Sequence, residues 1–289
     1  MGPFIAIAAS VLTFIAFWVQ YKANEQQRQD IGSERFETKY YELIRLHKEN
    51  VNEIKLSEAR QGRNAFVTFY EELRLCFWLV KDAVSLCPQN GDDQKNLGFK
   101  RDDDEQILRI AFLLFFIGSG TGSPGLLPEQ AKDLASASFL DHLDRYIKDI
   151  KHLKKFEFTL NDIKCEFEYD YPTLNGHLSE LGHYYRHLYQ AVKYIDSAPH
   201  IGAKQKYDYV KTIRAQLSSF EQILLYYNTF SRFGKAWLNE QTPYLIRYRM
   251  IKNLPLPLAH FGIKPEDKFE KEVEITGKEP DKFFEWHEV

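Results

Sequence analysis

The feature that most constrains this chain is its start. "PFIAIAASVLTFIAFWVQY", Pro3 to Tyr21, is a 19-residue run without a charged side chain. Wound as an α-helix it reaches ~28 Å, enough to cross the hydrocarbon core of a bilayer. It is apolar on every face, unlike the one-sided pattern of a helix resting on a soluble core. Trp18 and Tyr21 fall at its downstream end, where an interfacial aromatic belt would sit. No Lys or Arg precedes the run and "WVQYKAN" offers no small-residue cleavage site, so a membrane anchor is expected over a secretory signal. Lys22, Arg28, Arg35 and Lys39 follow it, which by the positive-inside rule puts the rest of the chain in the cytoplasm. The reading is a single pass of a membrane, with residues 3–21 in lipid.

Beyond residue 22 the apolar positions recur mostly at three and four, giving an all-α fold class. Residues 1–22 read as the anchor, 23–62 as a linker helix, 63–260 as a helical cytosolic domain and 261–289 as a polar C-terminal tail. The linker helix carries a thin stripe of Phe36, Tyr40, Leu43, Ile44, Val51 and Ile54, with Gly32-Ser33 a point where it could break. Asn64 to Leu86 is a denser core helix, Ile107 to Ile117 a short buried one, and Glu129 to Leu153 an amphipathic one. The polar stretch "CPQNGDDQKNLGFKRDDDE" is a solvated loop. "KFEFTLNDIKCEFEYD" alternates instead, predicting a β-hairpin insertion near 156–169 that turns at Asn161-Asp162. Two long helices follow, Leu178 to Ser197 and Ala203 to Asn228, joined by "APHIG" as an antiparallel pair.

A net charge of −3 and a pI near 6.3 give no basic field, so nucleic acid is not indicated as a partner. Three cysteines without C-x-x-C spacing fit neither a disulfide framework nor a zinc site. "GSGTGSPG" lacks the G-K-[ST] of a phosphate-binding loop, and no cofactor is expected. His183 and His187 are four apart, with Glu180 a conceivable third ligand. The acid of H-E-x-x-H is missing, however, and no metal site is expected.

The polar residues with the most to explain lie in the helix pair. Leu181, Tyr185, Leu188, Val192 and Ile195 form a core stripe, and Arg186 borders it beside Gly182, which leaves room for a ligand or partner to approach. On the second helix Arg214, Glu221 and Asn228 are seven apart, along one edge ~10.5 Å from one to the next. Buried polar groups need partners, and Arg186 across the pair is the expected one for Glu221. These four form a structural or ligand-binding polar cluster. An enzymatic alternative is an RNase of the HEPN type, whose Arg-then-His motif is matched in spacing by Arg145 and His152 of "RYIKDIKH". A scaffold without chemistry is the third reading.

"GPFIAIAASVLTFIAFWVQYKANEQQ", "ELGHYYRHLYQAVKYID", "YVKTIRAQLSSFEQILLYYN" and "YRMIKNLP" together resemble the AbiC-like family of bacterial phage abortive-infection proteins. The resemblance covers the anchor and Leu178 to about Pro255. It implies a membrane-anchored defence protein that halts growth of phage-infected cells, as sensor or effector, with a phage-derived trigger and a homo-oligomer as conceivable partners. It assigns no catalytic residue. Members of this family often carry two N-terminal membrane helices, and this chain resembles only the second.

Overall fold

A computed structural model describes residues 2–87, 93–119, 126–160, 163–272 and 283–285. The chain is mostly helical, with one two-stranded hairpin. Helix α1 spans Gly2–Glu53 without a break, so Gly32 does not interrupt it. A single glycine costs about 1 kcal/mol in a helix interior. The Gln, Arg and Glu residues that flank Gly32 at 26–29 and 34–35 are good helix formers, and the hydrogen-bond ladder runs through. The first part of α1 contains a segment long and apolar enough to cross a membrane, and none of that segment is buried. From Phe36 onward the same helix enters the body: Phe36, Tyr40, His47 and Val51 are buried. The region expected to be a linker therefore contributes to the core.

Helix α2 (Arg63–Leu86) is the central element, with Phe66, Phe69, Leu73, Cys76, Phe77 and Val80 inaccessible to solvent or nearly so. It packs against α4 (Asp104–Ile117), which is capped by Asp103 through the Gln106 N–H and buried along nearly its whole length. The short helix α3 (Asp93–Asn96) precedes α4. The amphipathic stretch expected as one helix is two: α5 (Leu126–Ala131) and α6 (Ala137–Ile150). Ser136 restarts the chain as an N-cap, accepting from the Phe139 N–H. Strands β1 (Lys155–Leu160) and β2 (Ile163–Glu168) pair antiparallel with Phe156 opposite Phe167 and Phe158 opposite Cys165. The alternation places Phe156, Phe158 and Phe167 inward and charged residues outward. The turn expected at Asn161-Asp162 lies outside the described residues, as do parts of the loop after Cys87 and of the glycine-rich connection.

Helix α7 (Leu178–Asp196) lies against α1 and buries Leu181, Tyr184, Tyr185, Leu188, Val192 and Ile195. Its start is fixed by a backbone crossing. Gly118 and Gly176, both at positive φ, approach so closely that a Cβ on Gly176 would lie 2.3 Å from the Ile117 carbonyl oxygen. The His177 N–H then donates to the Phe116 carbonyl at 3.0 Å.

The second long helix is also two, α8 (Ala203–Arg214) and α9 (Ser219–Asn228). Ser218 and Glu221 form a capping box: the Glu221 N–H donates to Ser218 Oγ at 3.3 Å, and the Ser218 N–H donates to Glu221 Oε2 at 2.7 Å. After a 3₁₀ turn at Lys235–Leu238, α10 (Tyr244–Arg247), a second such turn at Leu256–Ala259 and α11 (Pro265–Lys268) close the fold. Within the stretch expected as a polar tail, Phe269, Phe283 and Phe284 are buried against one another.

Candidate functional site: an aromatic cleft beside Arg186

The break at Ala215–Ser218 changes the geometry of the expected cluster. Arg214, Glu221 and Asn228 do not run along one edge, because Arg214 ends α8 while Glu221 begins the next helix. Each is buried and each has its own partners. Arg214 Nη1 donates to the carbonyls of Tyr248 and Arg249 at 3.0 and 3.1 Å, holding a turn in which Arg249 sits at φ 49°. Asn228 takes a Ser231 hydroxyl on its backbone carbonyl at 2.8 Å, while its Nδ2 is buried without a partner.

Glu221 does not meet Arg186, which is exposed on α7. Its carboxylate instead accepts from the Tyr184 hydroxyl at 2.9 Å and the Ser218 N–H. His47 of α1 stands close by, Nε2 3.9 Å from Glu221 Oε1. Neither ring nitrogen of His47 has a hydrogen-bond partner, and the ring stacks 6.3 Å from that of His187. Burial, reinforced by the charges of His187 and Arg63, pushes the His47 pKa down to about 4. It is neutral at physiological pH, so the pair with Glu221 is a contact rather than an ion pair. His187 is shifted down too, by burial and then by His183. Burial and the Glu221 charge push the Tyr184 hydroxyl well above its usual range, so it remains a donor.

A second carboxylate is sunk as deeply. Glu72 accepts from the Tyr171 hydroxyl and, at 2.7 Å, from the Leu174 N–H. His177 Nε2 lies 3.1 Å from it without forming a hydrogen bond. Both glutamates thus sit with a tyrosine and a histidine, enclosed in the core. These groups tie segments together: α2 to the loop before α7, and α1 and α7 to α9. Among the described residues no group of His, Cys, Asp or Glu has the arrangement of a metal site.

The open site lies on the other side of α7. Gly182 and Arg186 line a cleft of about 280 Å³ whose walls are Phe116, Tyr185, Tyr189, Phe233 and Trp237. The Phe116 ring is 4.9 Å from Phe233, and Tyr189 meets Trp237 edge to face at 5.3 Å. A Cβ on Gly182 would come within 3.3 Å of Leu178 and 3.8 Å of Phe116, so the missing side chain is part of the opening. The floor is aromatic and the one charge lining it is the Arg186 guanidinium. Such a surface suits a planar or aliphatic group with an anionic neighbour. The sequence pointed to the gap at Gly182 and to Arg186. It did not reveal Phe233, in the turn after α9, or Trp237, in the 3₁₀ turn that follows, neither of which has a periodic signature.

Arg145 and His152 are both exposed near the end of α6, where Arg145 Nε donates to the Asp141 carbonyl at 3.2 Å. Neither lines the cavities described here.

No curated protein and no solved structure matches the chain. All the cleft residues named above except Phe116 fall within residues 176–257, and that segment matches the model of the family described as "Putative phage abortive infection protein".

Proposed function

We propose that this protein is a membrane-anchored abortive-infection protein of bacteria, in which the aromatic cleft beside Arg186 receives the trigger of phage defence. What carries the reading is a coincidence of place: the segment matching the abortive-infection family supplies nearly all of the cleft wall. The apolar start of α1 supports the anchor, since none of its membrane-length segment is covered by the rest of the chain. An apolar surface of that size needs lipid or a partner to be stable in water. The basic residues Lys22, Arg28, Arg35 and Lys39 favour a cytosolic body. The trigger is a phage-derived protein segment presenting an aromatic or aliphatic side chain next to a carboxylate. The aromatic walls would take the ring and Arg186 the charge.

The test is phage plating on cells expressing Arg186→Ala or Phe233→Ala, two exposed positions whose substitution leaves the core intact. Loss of protection at unchanged protein level supports the cleft. Full protection by both variants overturns it.

A further inference from the structure

The segment after α9 faces two cavities. Its aromatic residues Phe233 and Trp237 wall the cleft, while Ser231, Arg232 and Lys235 wall a second cavity of about 310 Å³. Arg109 of α4, Gln130 of α5 and Asp133 stand across from them. Three cations therefore line one concavity, with Asp133 the carboxylate in its wall and Glu105 bound to Arg109.

Two of these charges are largely unspent. Arg232 and Lys235 form no ion pair among the described residues; the Arg232 guanidinium lies 5.0 Å from the Phe233 ring centre. Arg109 commits Nη2 to Glu105 at 2.5 Å, but its Nε is buried without a hydrogen-bond partner. Like charges drawn together in a recess repel one another, and the arrangement is favourable when an anion completes it.

The platform is also rigid. The Ser231 hydroxyl donates to the Asn228 carbonyl at 2.8 Å and accepts from the Phe233 and Gly234 N–H groups at 3.2 and 3.3 Å. Gly234 passes so near Asn228 that a Cβ would lie 2.1 Å from its carbonyl oxygen. Arg232 and Lys235 thus project from a backbone that does not need ordering when a ligand arrives. Because Ser231 is used in holding the turn, the available donors are Arg109, Gln130, Arg232 and Lys235. Separate cations around a space of this volume match an anion with several oxygens, of which phosphate is the fitting class.

We propose that this cavity binds a small phosphorylated ligand, whose oxygens are taken by Arg109, Arg232 and Lys235 with the Gln130 amide as a neutral donor. The site is separate from the aromatic cleft and does not depend on the reading of that cleft.

The experiment uses the full chain in detergent and has two arms. Calorimetric titration with pyrophosphate at fixed ionic strength reads a free phosphorylated ligand. The same titration with a short-chain phosphatidic acid, against the matching phosphatidylcholine, reads a lipid headgroup. Saturable binding in either arm is expected and names the source. The Arg232→Gln/Lys235→Gln double variant should weaken it at least tenfold at unchanged melting temperature, while Lys204→Gln leaves it as it was. Absence of binding in both arms overturns the proposal, as does equal weakening by Lys204→Gln or no weakening by the double variant. Arg186→Ala in the same titration tells the two sites apart, because it should leave pyrophosphate binding unchanged.

Discussion

The Tyr184 hydroxyl donates a 2.9 Å hydrogen bond to Glu221, a carboxylate with no exposure to solvent. The same carboxylate caps α9 through the Ser218 N–H, so a single side chain joins two helices and starts one of them. Replacing Glu221 by Ala leaves a buried hydroxyl and a buried N–H unpaired. It should destabilise the protein by about 3 kcal/mol. Tyr184→Phe should cost about 1 kcal/mol, and the double variant less than the sum. Urea unfolding of the four proteins checks this; strict additivity would show that the two groups do not act together.

The histidine beside this carboxylate makes stability depend on pH. His47 is held near a pKa of about 4 in the fold, against 6.5 when free. Below pH 6.5 the unfolded chain gains a proton that the folded one refuses, so stability falls as pH drops from 6.5 toward 4 and levels off below. The groups facing it are His187, Arg63, Glu221 and Tyr184. His47→Leu should flatten the melting temperature across that window, and a slope unchanged by the substitution would assign it elsewhere. The loss is on the order of 3 kcal/mol for a shift of this size.

Gly234 is a strict requirement of the turn that serves both cavities. Gly234→Ala forces the backbone away from Asn228 and should cost about 3 kcal/mol or displace the turn. Gly202→Ala, with only the end of the Gln205 side chain 3.8 Å away, should be mild by comparison. Thermal unfolding of the two variants compares them directly.

Arg214 and Arg249 divide another task. Arg214 holds the two carbonyls of a turn whose last residue sits in the left-handed region. Arg214→Leu should lose about 2 kcal/mol through those carbonyls. Arg249→Val should cost at least about 1 kcal/mol more than Arg249→Gly, since a β-branched residue resists positive φ. Chemical denaturation distinguishes them.

Much of this architecture can be seen in the residues. The three-and-four spacing of Phe66, Phe69, Leu73 and Phe77 marks α2, and the alternation from Phe156 to Phe167 marks the hairpin, because burial on one face leaves a period. The break in the second long helix leaves a different sign. "SSFE" is a capping box, but its residues also satisfy a continuous helix, and the apolar period alone passes straight through it. That is why Glu221 was expected to face Arg186 across a pair of helices rather than Tyr184 and His47. His47 lies far upstream on α1, and no local pattern ties it to residue 221. The burial of Phe283 and Phe284 was hidden by the charged residues around them. Arg186 and Gly182 could be picked out because a missing side chain beside a long cation is a local event. The rest of the cleft is assembled by a turn, whose side chains obey no period.

The unbroken course of α1 has a mechanical consequence. Between Tyr21 and the first buried side chain, Phe36, lie ~22 Å of helix with no flexible joint, and the helix then runs into the body as far as His47 and Val51. With residues 3–21 held in a bilayer, the body would not drift on a tether. It would ride on a stiff shaft, so a rotation or tilt at the core end would arrive at the membrane as the same rotation or tilt. An occupant of the cleft on α7, the helix packed against that shaft, would then be within two steps of the lipid.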